Sequence, residues 1–205
     1  MTTMILTRHG HVEGITPPRF RGQYELPLTA LGEQQADRVA DYIARTWQPK
    51  IVLHSPLERC RVTAGRIAEA CRVPQQSDAD LLDIHYGAWQ WETHEDVKAR
   101  WPALYALWRS APHLVRFPAG ESVQDIILRG ADMLRKVAKD YPDDTIVLVG
   151  HDSINRALLI QLLDQPLSAY WKIAQGPCCI NVLNIAGAQV SISAINNMQH
   201  LDGLG

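Results

Sequence analysis

Arg8-His9-Gly10 is the first place in this chain where residues able to do chemistry crowd together. An arginine carries a permanent charge and a planar fork of donors that fits an anion. A histidine can serve as nucleophile, base or neutral donor near neutral pH. Two later stretches repeat the theme: His54-Ser55-Pro56 leading to Arg59, and Gly150-His151-Asp152. On Arg8-His9 alone, a strand ending in two solvated polar residues would serve as well. The recurrence favours the other reading. Two arginines and two histidines gathered in one pocket would repel one another unless they met a doubly charged anion such as a phosphate.

Each of these stretches follows a short apolar run: Met4-Ile5-Leu6-Thr7, Ile51-Val52-Leu53 and Thr145-Ile146-Val147-Leu148-Val149. Runs of this length and composition read as buried strands. A parallel sheet would bring their C-terminal ends to one edge, where open α/β sheets bind ligands. Between them lie helical patterns. Thr29 reads as an N-cap, with Ala36, Val39, Ala40, Ile43 and Trp47 at helical spacing. Cys60, Ala64, Ile67, Ala68 and Cys71 mark a second helix, with Arg59 in its first turn. There the free backbone N–H groups also favour an anion. Residues 93–110 read as one aromatic-rich helix, and 111–120 as a loop with Pro112 and Pro118. Ser122 and Asp125 suggest a capping box before a helix to Ala138. Asp152 reads as the cap of a helix running to Leu162, and 178–185 with 189–195 as a closing strand pair around Gly187. The fold class expected is α/β: a three-layer sandwich with a mostly parallel central sheet, helices on both faces and a small helical cap over the strand C-terminal ends. One domain over 1–205 is expected, with the cap at about 86–120.

Bulk properties narrow the function classes. With 46% hydrophobic and 20% charged residues and a formal net charge of -2, the chain has no general pull towards nucleic acid or an anionic membrane. No apolar run is long enough to cross a bilayer, and no signal-peptide order is seen. Cys60, Cys71, Cys178 and Cys179 have neither zinc-site nor disulfide-framework spacing. They read as reduced small apolar residues, so a cytoplasmic protein is expected.

Taken together, Leu6-Thr7-Arg8-His9-Gly10, Ser55-Pro56-Leu57-Glu58-Arg59-Cys60 followed by Thr63-Ala64, and Val149-Gly150-His151 resemble the histidine phosphatase superfamily, which includes the cofactor-dependent phosphoglycerate mutases. The resemblance implies that His9 is the nucleophile and that Arg8, Arg59 and His151 hold the phosphoryl oxygens. It implies that Asp83, within Leu82-Asp83-Ile84-His85-Tyr86-Gly87, is the proton donor, although most members carry glutamate there. The long loop 10–27 would lie over the phosphate, with Arg21 and Gly22 in the segment that closes on substrate. Asp152 is a rival acid, because an aspartate after this histidine is the proton donor in the acid phosphatase branch. Trp91 stands where members often have a small glycine, and His11 where most have glutamate. Gly120-Glu121-Ser122 is frequent among the phosphatases; Glu121 either bonds near the pocket or serves the helix terminus.

The implied activity is hydrolysis of a small phosphomonoester through a phosphohistidine, with no metal and no cofactor, no nucleic acid or membrane partner, and a monomer or homodimer. Cofactor-dependent phosphoglycerate mutase and α-ribazole phosphatase are the alternatives within the resemblance. The mutases add a segment with paired arginines, whereas this chain has Ile84 in place of one arginine and only the separated Arg109 and Arg116 further on. A phospho-ligand-binding protein without turnover is the alternative from another class.

Overall fold

Alternation decides the layers. In the computed structural model, which describes residues 1–187 and 189–204, strand β1 (Thr2–Arg8) is buried on both faces. Met4 and Leu6 point to one side of the sheet and Ile5 to the other. The period of two along a strand produces this split. β4 (Thr145–Gly150) behaves alike, with Ile146 and Leu148 beside Met4 and Leu6, and Val147 and Val149 beside Ile5.

The sheet has six strands in the order β3-β2-β4-β1-β5-β6. β2 (Ile51–His54), β3 (Gln75–Ser77), β4 and β1 are parallel; β5 (Ile180–Ala186) runs antiparallel to β1, and β6 (Gln189–Asn197) antiparallel to β5. Arg8, His54 and Gly150 therefore end at one edge, as the sequence predicts. β3 is a strand the sequence pattern does not reveal. Its residues Gln75, Gln76 and Ser77 are exposed, and what makes them a strand is main-chain pairing with Val52–His54. The last strand pair also differs from expectation at its start. Cys178 has φ +53 and the strand begins only at Ile180. Ala188, in the expected turn around Gly187, lies outside the described residues.

Helices α1 (Ala30–Thr46) and α2 (Glu58–Cys71) cover one face with Val39, Ile43, Ala64 and Ile67. Thr29 caps α1 by accepting from the Gly32 N–H. α5 (Val123–Asp140) and α6 (Asp152–Leu162) cover the other with Ile126, Met133, Val137, Ile154 and Leu158. The expected capping box of Ser122 and Asp125 is formed.

Residues 93–110 are not one helix. α3 (His94–Arg100) ends at Trp101, and α4 (Pro102–Ser110) starts with proline in its first turn. Proline has no N–H to continue the α3 ladder and forces its predecessor out of the helical region, here to φ -135 and ψ 61. Around these helices, Tyr86, Trp89, Trp108 and Phe117 pack edge to face. Phe20, from the loop after β1, contacts both Tyr86 and Trp89. The cap and that loop thus share one aromatic core at the strand ends.

Candidate active site

His9 is the first residue beyond β1, and its N–H still donates to the Gly150 carbonyl at 3.1 Å. Gly10 follows because a Cβ there would lie 2.4 Å from the Gly32 carbonyl oxygen, so only glycine lets the chain pass beneath α1. The His9 ring is 1% exposed. Its Nδ1 lies 2.7 Å from the Gly10 carbonyl oxygen, which can only accept. The proton therefore sits on Nδ1, and Nε2 keeps its lone pair. Burial, and then the charges of Arg59 and Arg8, hold the imidazole well below its ordinary pKa.

Two guanidinium groups lie close enough for their charge to act on the ring. Arg8 donates Nη1–H to the Gln175 carbonyl at 2.8 Å, while its buried Nε and Nη2 have no partner among the described residues. Arg59, the second residue of α2, donates to the carbonyls of Tyr24 (2.8 Å) and Gly22 (2.6 Å), and its Nε is likewise unpartnered. Buried donors of this kind are expensive to leave unmade, and an anion satisfies them.

His151 completes the ring of donors, with its imidazole centroid 5.1 Å from that of His9. Ser55 Oγ is within 3.4 Å of the Leu57 N–H and 2.8 Å of His151 Nε2. The hydroxyl accepts from the first; with its proton turned to the second, the imidazole proton lies on Nδ1. Burial and Arg59 hold His151 well below its ordinary pKa too. Both imidazoles are thus held towards the neutral form, and the charge in the site is that of the two arginines.

Asp83 is 3% exposed. Its Oδ2 lies 3.5 Å from Arg59 Nη2 and 3.7 Å from His151 Nδ1, and its Oδ1 accepts from the Ile84 N–H at 2.9 Å and from the Ser153 hydroxyl. Burial, then the nearby Asp152 charge, raises its pKa above the carboxylate value; Arg59 and Ser153 oppose this. Asp152 goes the other way. Although burial pushes it up, Arg8, Arg156 and Arg21 together depress it far below the carboxylate range. It pairs with Arg156 Nη1 at 3.1 Å. Asp152 is also not the helix cap that the sequence suggests. His151 occupies that position, and Asp152 is the first residue of α6. The two carboxyls are thus pushed apart, one towards the acid form and one towards the anion.

Residues 4–198 match the family model described as histidine phosphatase superfamily (branch 1). The chain belongs to the histidine phosphatase superfamily. Phosphoserine phosphatase 1 of Hydrogenobacter thermophilus is 29% identical over 201 residues, covering 98% of this chain and 95% of that protein. Glucosyl-3-phosphoglycerate phosphatase of Mycobacterium tuberculosis is 30% identical over 185 residues, covering 84% and 80%. Among solved structures, YhfR of Bacillus stearothermophilus shares the fold with a TM-score of 0.93 and 24% identity, covering 98% of this chain and 100% of that one.

In this histidine phosphatase superfamily member the other sequence candidates have definite places. Arg21 is half-buried, turns back to donate to the Gly14 carbonyl at 2.5 Å, and keeps a buried unpartnered Nε. Gly22 has φ +46, and its carbonyl holds Arg59. Trp91 adopts φ +66, a region that suits glycine, and stacks on Tyr24. His11 points to Thr29 Oγ1 at 2.9 Å rather than to the His9 ring. Of the two readings of Glu121, the first is closer. Its carboxylate takes the His85 N–H at 2.7 Å and pairs with Arg129 at 3.0 Å. Arg129 in turn donates to the carbonyls of Asp80, Leu82 and Asp83.

Sequence reasoning missed Arg129, Ser153 and the tautomer-setting role of Ser55. Ser55 lies within Ser55-Pro56-Leu57-Glu58-Arg59-Cys60, so its position is visible in the sequence although its task is not. Arg129 looks like any arginine on an amphipathic helix.

Proposed function

We propose that this protein hydrolyses small phosphomonoesters by way of a phosphohistidine. The observation that carries the reading is the neutral His9, with its proton tied to the Gly10 carbonyl and its Nε2 lone pair free between Arg8 and Arg59. Nε2 attacks phosphorus, the N–P bond forms, and the bond to the leaving oxygen breaks. Arg8, Arg59 and the His151 Nδ1–H meet the equatorial oxygens, whose charge they offset with little reorganisation. Asp83, kept towards its acid form by burial, gives its proton to the leaving alkoxide. The resulting carboxylate then takes a proton from the water that attacks phosphorus, and His9 is released with inorganic phosphate. Asp152, held as an anion by Arg8 and Arg156, is a poor proton donor and instead orients Arg156. Arg21 and Gly22 act from the loop over the phosphate, the first by charge and the second by holding Arg59.

Hydrolysis is favoured over mutase chemistry. Ile84 is fully buried in the core where the mutases carry an arginine, Arg109 lies over the Trp171 ring, and Arg116 pairs with Asp125. The curated relatives described above are named for phosphoserine and for glucosyl-3-phosphoglycerate, both small phosphorylated metabolites, and this supports the same substrate class here. Residues 1–205 form one domain with a cap at about 86–120 that shapes the leaving-group side, and the protein works in the cytoplasm.

The test is phosphate release from p-nitrophenyl phosphate, phosphoserine, 3-phosphoglycerate, sugar phosphates and α-ribazole phosphate, with an alkaline quench to preserve phosphohistidine. Turnover should vanish in His9→Ala, and labelled phosphate should map to His9. Phosphate binding without turnover of any ester would support the non-catalytic reading instead.

A further inference from the structure

Ser153 is fully buried in the first turn of α6, and nothing in the chemistry above uses it. Its hydroxyl has one proton to give. The Ile84 N–H approaches its oxygen at 3.1 Å, and the oxygen itself contacts Asp83 Oδ1. The one Ile84 hydrogen is shared between Asp83 Oδ1 and Ser153 Oγ, and the Ser153 hydroxyl is placed to donate to Asp83 Oδ1. We propose that Ser153 is a positioning residue for the general acid: it occupies Asp83 Oδ1 as an acceptor, so that Oδ2 is the oxygen that carries and delivers the proton. This rests on the assignment of Asp83 as the acid.

The geometry separates the two oxygens cleanly. Oδ1 faces two donors, the Ile84 N–H and the Ser153 hydroxyl. A proton placed there would displace the Ile84 hydrogen and require Ser153 to turn its own proton away. Among the described residues Oδ2 has no partner at hydrogen-bond distance: Arg59 Nη2 and His151 Nδ1, the groups that meet the phosphate, stand off at 3.5 and 3.7 Å and leave it room for a proton. A free carboxylic acid can place its proton on either oxygen and turn about χ2. A short aspartate has little reach, so delivery from the wrong oxygen would miss the leaving group. Ser153 is suited to prevent this because it sits on a helix whose N-cap is His151, so one turn of backbone fixes acid and phosphate donor together.

Other groups act on the same carboxyl. Arg59 from α2 and Arg21 from the loop favour its anion, and Asp152 from α6 disfavours it. His151 is neutral, and Arg129 from α5 touches only the Asp83 carbonyl, at 3.4 Å. Removing the Ser153 hydroxyl takes away one group that stabilises the anion. The alkaline limb that Asp83 sets should then move to higher pH, while delivery of the proton becomes less efficient.

The experiment measures kcat/KM for Ser153→Ala against an ester with a poor leaving group, phosphoserine, and one with a good leaving group, p-nitrophenyl phosphate. Formation of the phosphohistidine governs both, but only the first needs a proton. The expected result is a loss of about 10-fold or more with phosphoserine, a change under about 3-fold with p-nitrophenyl phosphate, and an alkaline limb displaced upward. Ser153→Cys keeps the volume with only a weak donor and should show the same split if the alanine variant folds poorly. Asp83→Asn runs alongside. If Asp83→Asn loses phosphoserine turnover but the Ser153 variants keep it, or lose both substrates equally with the limb unmoved, the role of Ser153 is overturned. If Asp83→Asn itself keeps phosphoserine turnover, the acid assignment falls and the proposal with it.

Discussion

Arg129→Met removes the centre of a clamp while keeping an apolar stem on α5. One guanidinium bonds both oxygens of Glu121 and the carbonyls of Asp80, Leu82 and Asp83, with N–O distances from 3.0 to 3.4 Å. Glu121 also takes the His85 N–H, so residues 80–85 are held from both sides. A hydrogen bond to a charged group contributes about 1.5–3 kcal/mol net. Arg129 and Glu121 are roughly a fifth to a quarter exposed, so water replaces part of what is lost. The expected destabilisation is therefore that of one or two such bonds, about 2–4 kcal/mol, and not of five. Urea unfolding followed by tryptophan fluorescence reads it directly, as a lower midpoint at unchanged slope. The same clamp sets where Asp83 stands, and a displacement of about 1 Å can reduce a rate about 100-fold. Turnover of an ester with a poor leaving group should fall by one to two powers of ten, with p-nitrophenyl phosphate affected less. Glu121→Gln and the double variant should be non-additive by about 1 kcal/mol or more. A loss of stability below about 0.5 kcal/mol with both substrates turned over normally would refute the clamp.

Three shorter predictions follow from the site. His9 stays neutral well below its ordinary pKa, and Asp83 stays protonated above the ordinary carboxylate range, so activity on an ester with a poor leaving group should persist in mildly acidic buffer and fall as pH rises through the Asp83 pKa; a pH–rate profile checks this, and the Asp83→Asn profile should lack the alkaline limb. Gly22→Ala forces φ +46 on an alanine and puts its Cβ 2.7 Å from Gln90 Oε1 and 2.9 Å from the Ile84 carbonyl oxygen. It should cost about 1–2 kcal/mol in backbone strain alone and weaken kcat/KM through Arg59. Cys60, buried against His151 and with its thiol pushed up to about 12, should resist iodoacetamide at pH 8. Peptide mapping should find the half-buried Cys71 labelled first and Cys60 only after unfolding.

What could be read from sequence was whatever the chain states locally. Arg8, His9, Arg59 and His151 follow apolar runs, and parallel strands leave no other place for their ends than one edge. The caps at Thr29 and Ser122 were equally plain, because a capping side chain bonds only its own first turn. The break at Pro102 was written in the chain but masked by a strong aromatic period on either side of it. Other features depend on distant partners and leave no local trace. β3 exists only because β2 offers its edge, and Arg129 reaches carbonyls some forty-six residues earlier in the chain. The protonation states of His9, His151, Asp83 and Asp152 come from burial and neighbours together. The sequence names the residues, but not which carboxyl keeps its proton.

The position of β1 bears on how the molecule is made. Its two neighbours are β4, where Thr3 pairs with Thr145, and β5, where Thr7 pairs with Ile180. During synthesis β1, which leads into His9, is made before the other five strands of the sheet and waits for more than 130 residues before either edge can be covered. β2, α2 and β3 are close in sequence and can assemble in the meantime. Contacts of such long separation form slowly, and until they do the apolar segment Met4–Leu6 presents two open strand edges. The strand that leads into the site is thus among the last of the sheet to be sheltered, and the site is complete only when β5 has docked on β1.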